Sequence, residues 1–218
     1  MTTKRDMPYV WVTWVSGILA GDSHCEWAAW FKAHYVGYAK QPLRVDLLVW
    51  KAEHGAKVRA RADALRDTGY KVYVENQNKF TFKGSGGITL AGTPDIVAVK
   101  RDDVLVVDCK TGKERASDVF QVLLYMLVLP RTHAGCGGKA IRGEVEYKER
   151  VVDVGSNKLT QGIKDLIRGV MGSVGGAQPP MRTPSFAECQ FCDLTRADCS
   201  ERVEVEQVSA TTENGTLF

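Results

Sequence analysis

Residues 92–125 read GTPDIVAVKRDDVLVVDCKTGKERASDVFQVLLY. Within this stretch the apolar residues alternate with a period of two. Val104, Val106, Asp108 and Lys110 therefore share one face of a strand, while Leu105, Val107 and Cys109 share the other. A hairpin closed by Lys100, Arg101, Asp102 and Asp103 sets Val99 opposite Val104 and Asp95 opposite Asp108. Two aspartates facing each other in an apolar hairpin repel, so the pair calls for a compensating cation. Carboxylate oxygens suit hard divalent ions such as magnesium or manganese, which leave coordination positions open for phosphate and water. Lys110 is then placed as a point charge beside an attacked phosphate, or as the group that positions or deprotonates the attacking water.

Around that hairpin the chain reads as an α/β (α+β) fold with a mixed central β-sheet flanked by helices. Tyr9 to Val15 form a short extended lead-in, Ser16 caps a helical turn, and the N-terminal block is helical through Tyr35. Leu43 to Thr68 carries Leu47, Trp50, Val58 and Leu65 at helical spacing, with His54 on that stripe and Gly69 past the end as a C-cap. YKVYVENQNKFTFKG reads as two strands around Asn76 to Asn78, and GGITLAG as another. Ser117 to Leu129 is helical and stops at Pro130; Arg142 to Val154 gives two more strands, and Asn157 to Met171 a further amphipathic helix. Residues 1–200 count as one domain, and the polar segment 201–218 as a disordered tail.

With 218 residues, 44% of them hydrophobic, the chain is long enough for one substantial core. The net charge of +3 permits nucleic-acid binding without demanding it, so any DNA affinity comes from local patches. Two candidates are the helix bearing Lys51, Lys57, Arg59, Arg61 and Arg66, and the loop with Lys110, Lys113 and Arg115. No apolar run spans a bilayer, and Thr13 and Ser16 interrupt the apolar core that a signal peptide needs; the expected location is cytoplasmic. Six cysteines in a reducing compartment read as metal ligands or buried thiols before they read as disulfides.

Pro94 and Asp95, then Asp108 and Lys110, then Gln121 and Tyr125 follow the order P-D, D-x-K, Q-x-x-x-Y. This resembles the RecB-like branch of the PD-(D/E)XK nuclease superfamily, over about Val12 to Cys199. The resemblance implies a restriction-endonuclease-like core in which Asp95, Asp108 and the backbone carbonyl of Cys109 bind magnesium or manganese and Lys110 is the catalytic lysine. It further implies that Gln121 and Tyr125, four apart on one helical face, contact DNA or brace the site. RecB-like members carry a histidine on an upstream helix as an additional metal ligand, and His54 occupies that place.

Cys189 and Cys192 form C-x-x-C, Cys199 follows, and Cys25 stands far upstream. One early cysteine and three late ones resemble RecB-like nucleases whose terminal regions are stapled by a 4Fe–4S cluster, with the CRISPR-associated exonucleases of the Cas-four type similar in size. Four thiolates also satisfy tetrahedral zinc, and His24 can substitute as a zinc ligand. Such a site would join the N- and C-terminal regions. Cys109 and Cys136 read instead as small buried hydrophobes.

The expectation is therefore a metal-dependent deoxyribonuclease, an exonuclease on single-stranded DNA or DNA ends, in CRISPR spacer acquisition or in repair and recombination. Its partners would be DNA and either the CRISPR adaptation integrase or a helicase. A non-catalytic or partner-dependent iron–sulfur subunit of a larger DNA-processing complex is the alternative.

Overall fold

The computed structural model describes residues 1–42, 46–84 and 86–205. Leu43 of the expected helix start and residues 206–218 of the expected tail lie outside them. Among the described residues the main sheet has five strands, in the order β10-β9-β8-β7-β4. These are β4 (Lys71–Val74), β7 (Ile96–Lys100), β8 (Asp103–Cys109), β9 (Ala140–Glu146) and β10 (Val151–Val154). β8 and β9 run parallel and the other neighbours antiparallel, so the sheet is mixed. A parallel step cannot be closed by a tight turn, and helix α4 (Ala116–Thr132) supplies the crossover.

The β7–β8 hairpin has the expected register, with Val99 opposite Val104. Pairing continues to Lys100 opposite Asp103, which narrows the turn to Arg101 and Asp102, with Arg101 at a φ of 54°. Alternation divides the strands as read from sequence. Val97, Val104, Val106 and Val145 pack with α4. Ile96, Ala98, Leu105, Val107 and Cys109 meet Val58, Ala62 and Leu65 of helix α3 (Leu47–Asp67) on the other face.

A second sheet, β2-β6-β5, comprises Tyr9–Trp11, Thr89–Gly92 and Phe80–Lys83. The two strands read around Asn76 to Asn78 thus belong to different sheets. The buried Asn78 amide pins the crossing by donating to the Tyr73 carbonyl at 3.0 Å and the Pro94 carbonyl at 3.1 Å. A short pair, β1 (Thr3–Lys4) with β3 (Tyr35–Val36), ties the N-terminus to the end of α2 (Glu26–His34).

Several expected boundaries move. Ser16 is no cap: α1 (Val12–Ala20) starts directly after β2, and buried Ser16 lies inside it, bonding back to the Thr13 carbonyl at 3.3 Å. The N-terminal block is not one helix, because Gly21 adopts a left-handed φ of 73° and ends α1. α4 runs two residues past Pro130, since a proline in the last turn removes a single backbone hydrogen bond. Thr160 caps α5 (Gln161–Gly175), so the expected helix from Asn157 begins later.

The apolar stripe on α3 is real only in its second half. Val58 and Leu65 are buried, but Leu47 and Trp50 are 42% and 41% exposed. A helix of 21 residues extends about 31 Å, whereas the seven residues of β8 cover about 23 Å, so the first turns of α3 overhang the strand ends.

α4 packs closely over Gly143 on β9. A Cβ there would stand 2.2 Å from Val122 Cγ1 and 2.9 Å from Met126 Sδ. Gly143→Val is therefore expected to destabilise the fold by about 2–3 kcal/mol through overpacking, read as a lower urea midpoint.

Candidate functional site

Four elements deliver side chains to one cleft at the C-terminal end of β8. β8 supplies Asp108, which is 2% exposed, and the chain just beyond it supplies Lys110. Asp95 comes from the lead-in to β7, His54 from the overhanging half of α3, and Gln121 from α4. These five side chains, with Trp50, line a cavity of roughly 390 Å³.

Asp95 and Asp108 leave adjacent strands side by side, one step beyond the Ile96–Val107 pair. The Asp95 carboxylate accepts from the Cys109 backbone N–H at 2.7 Å and lies 3.2 Å from His54 Nε2. Its hydrogen bond to Asp95 raises the His54 pKa above the ordinary value, against partial burial. Asp108 Oδ1 accepts from Gln121 Nε2 at 3.0 Å, and Oδ2 pairs with Lys110 Nζ at 2.7 Å. Burial pushes the Asp108 carboxyl up to about 7, with Lys110 opposing the shift and Asp95 adding to it.

Lys110 Nζ is also 2.9 Å from Gln121 Oε1 and 3.3 Å from Asp118 Oδ1. Burial alone would lower its pKa, but Asp108 and Asp118 hold it above the ordinary value, so the side chain is an ammonium. Gln121 passes its second donor to the Tyr125 hydroxyl at 2.9 Å. That hydroxyl in turn lies 3.4 Å from the Thr93 carbonyl. Tyr125 is thus a buried brace behind the site, with a pKa raised by burial.

Asp118 is the acidic residue that sequence reading passed over. It is buried, accepts from the Arg115 backbone N–H at 3.1 Å and the Tyr147 hydroxyl at 2.9 Å, and forms the second wall of the Lys110 socket. The signal was present, because Asp118 lies three residues before Gln121 and so on the same helical face. Trp50, four residues before His54, carried the same kind of signal; its ring stacks on the imidazole at 5.0 Å and 13°.

The donor set fits one hard divalent cation: two carboxylates, the neighbouring Cys109 carbonyl and an imidazole. A buried carboxylate whose pKa is driven up by burial and by a second carboxylate is short of positive charge. Among the described residues, however, no three His, Cys, Asp or Glu side chains converge as a ready-made cage. Lys110 instead pairs directly with Asp108, and His54 lies within hydrogen-bond distance of Asp95.

The basic helix face needs correction. Lys57 donates to the Tyr147 carbonyl at 2.6 Å, Arg61 pairs with Glu144 and, at 3.0 Å, with Glu146, and Arg66 pairs with Asp63 at 2.7 Å. Lys57 and Arg61 are thus engaged by the protein itself, while Arg66 sits in an exposed pair. Lys51 and Arg59 stay exposed, as do Lys113 and Arg115 at the cleft.

Cys25, Cys189, Cys192 and Cys199 all line a separate cavity of roughly 300 Å³. None of them is in a disulfide, and burial raises the pKa of Cys192 and Cys199. Other groups also join the N- and C-terminal regions there. Glu188 accepts from the His24 backbone N–H at 2.8 Å, and Arg182 covers the Trp27 ring at 4.1 Å. Within the C-terminal region, buried Arg202 donates to the Leu194 carbonyl at 2.7 Å. Cys109 and Cys136 are buried within hydrophobic clusters. Among the described residues no helix is long and apolar enough to cross a membrane.

Among solved structures the chain is similar to one described as "Crystal structure of SSO0001", at 10% identity and a TM-score of 0.42, with 87% of this chain and 84% of that chain covered. No curated protein matches it. A family model described as the PD-(D/E)XK nuclease superfamily matches residues 24–197, a span that includes Asp95, Asp108 and Lys110, and the chain belongs to that superfamily.

Proposed function

We propose that the protein is a magnesium- or manganese-dependent deoxyribonuclease acting on single-stranded DNA or DNA ends. The observation that carries this reading is the buried Asp108, set beside Asp95 and under a charged Lys110 at one strand end. Asp95, Asp108, the Cys109 carbonyl and His54 would hold the metal, whose role when bound is to acidify water and neutralise phosphate charge.

The protein's own groups do the rest. Lys110, held by Asp108 and Asp118, orients and neutralises a phosphate oxygen. Gln121 fixes both Lys110 and Asp108, and Tyr125 fixes Gln121. Lys113 and Arg115, exposed at the cleft, follow the DNA backbone, so binding weakens steeply with salt. The test is cleavage of end-labelled single- and double-stranded DNA in manganese, magnesium and chelator. Product lengths separate exonuclease from endonuclease action. Absence of any metal-dependent product from folded protein would sink the reading and favour a partner-dependent subunit serving an integrase or a helicase, in spacer acquisition or in repair.

The four cysteines gathered around one cavity support a second, structural metal, a 4Fe–4S cluster or zinc. Cys189→Ser is expected to remove bound iron, or zinc, from protein purified without oxygen and to lower its thermal midpoint. Metal analysis showing neither element in the wild type would end this proposal.

A further inference from the structure

Resting on the nuclease reading above, we propose that Trp50 is a stacking platform for one unpaired nucleobase of the substrate, and that it gives the site a preference for unstacked DNA. Trp50 stands in the first turn of α3, where Asp46 caps the helix by accepting from the backbone N–H groups of Leu48 at 2.9 Å and Val49 at 3.3 Å. The turn is therefore held firmly although it overhangs the sheet. One face of the indole lies on His54 at 5.0 Å and 13°, yet 41% of the residue remains exposed. Leu47, Leu48 and Val49 beside it are exposed too, which is costly for apolar groups with nothing to cover.

Position selects the occupant. Trp50 lines the same cavity as Asp95, Asp108, Lys110, Lys113 and Arg115. On α3 it stands four residues, about 6 Å, before His54, whose Nε2 is 3.2 Å from Asp95. A ligand that fills this cleft must offer an anion to the cations and a flat π-face to the rim. A nucleotide offers both, and stacking on an aromatic side chain tolerates any base. In a duplex the base faces are already covered by their neighbours, so only a single strand or a frayed end can use the ring.

Fluorescence anisotropy tests this with a labelled single-stranded oligonucleotide and the same strand carrying abasic nucleotides, each in calcium as an oxygen-seeking cation, with cleavage in manganese followed in parallel. Wild type is expected to bind the normal strand about tenfold more tightly than the abasic one. Trp50→Leu should lose that difference and Trp50→Phe should keep most of it. Equal binding of the two strands by wild type overturns the proposal, as does an equal loss on both strands in Trp50→Leu, which would mark a structural effect through His54. Base-dependent binding without cleavage would instead leave the platform standing and remove the nuclease reading.

Discussion

Lys110→Ala is expected to reduce metal-dependent DNA cleavage by about a hundredfold to a thousandfold, the cost of removing one fixed donor from a developing phosphate charge. Three acceptors hold the ammonium: Asp108 at 2.7 Å, Gln121 at 2.9 Å and Asp118 at 3.3 Å. Lys113 and Arg115 are poorly placed to take over, because they are exposed at the mouth and not buried with the carboxylates. Affinity for DNA should change far less than turnover, since one cation among several at the cleft is lost. Removing the charge also strands Asp108 and Asp118 together, so a lower thermal midpoint is expected in the absence of metal. Single-turnover cleavage within about twofold of wild type would refute the role assigned to Lys110.

Asp108→Asn should abolish metal-dependent cleavage and at the same time stabilise the metal-free protein. Burial lifts the Asp108 pKa from 3.8 to about 7, so the folded state holds a proton that the unfolded chain has already released. Between about pH 4 and pH 7 the native protein binds more protons than the unfolded chain. The contribution of this group to stability is therefore full below that window and lost as pH rises through it. Asparagine keeps the shape without the charge and leaves Lys110 its partner Asp118. A gain of about 1–3 kcal/mol is expected above pH 7, with a flatter pH profile. In the wild type, manganese should raise the thermal midpoint more at pH 8 than at pH 6, because metal and proton compete for the same carboxylate. Lower metal-free stability in the asparagine variant at pH 8 would show that the ion pair with Lys110 outweighs the burial penalty.

These expectations rest on features of two kinds. The β7–β8 hairpin, the division of its two faces and the convergence of Asp95, Asp108 and Lys110 were legible from residues 92–125 alone. A strand repeats every two residues and a hairpin register is fixed locally, so sequence order dictates which side chains meet. Gln121 and Tyr125 were legible for the same reason on a helix.

Other features depended on how whole elements meet. The apolar pattern of α3 is continuous from Leu47 to Leu65, and no periodicity says where the covering sheet stops. Only the mismatch between a long helix and short strands leaves Trp50 and Leu47 in the open and brings His54 to the strand ends. Lys57 and Arg61 read as a DNA-binding face until β9 placed Glu144 and Glu146 against them. The sequence by itself determined the carboxylate–lysine hairpin, because its strands are joined by one tight turn and its register is fixed by the local alternation. Only the tertiary structure decided what surrounds that hairpin, the Asp118 socket and the exposed Trp50 rim, because those contacts join elements far apart in the chain and are set by length, overhang and layer packing.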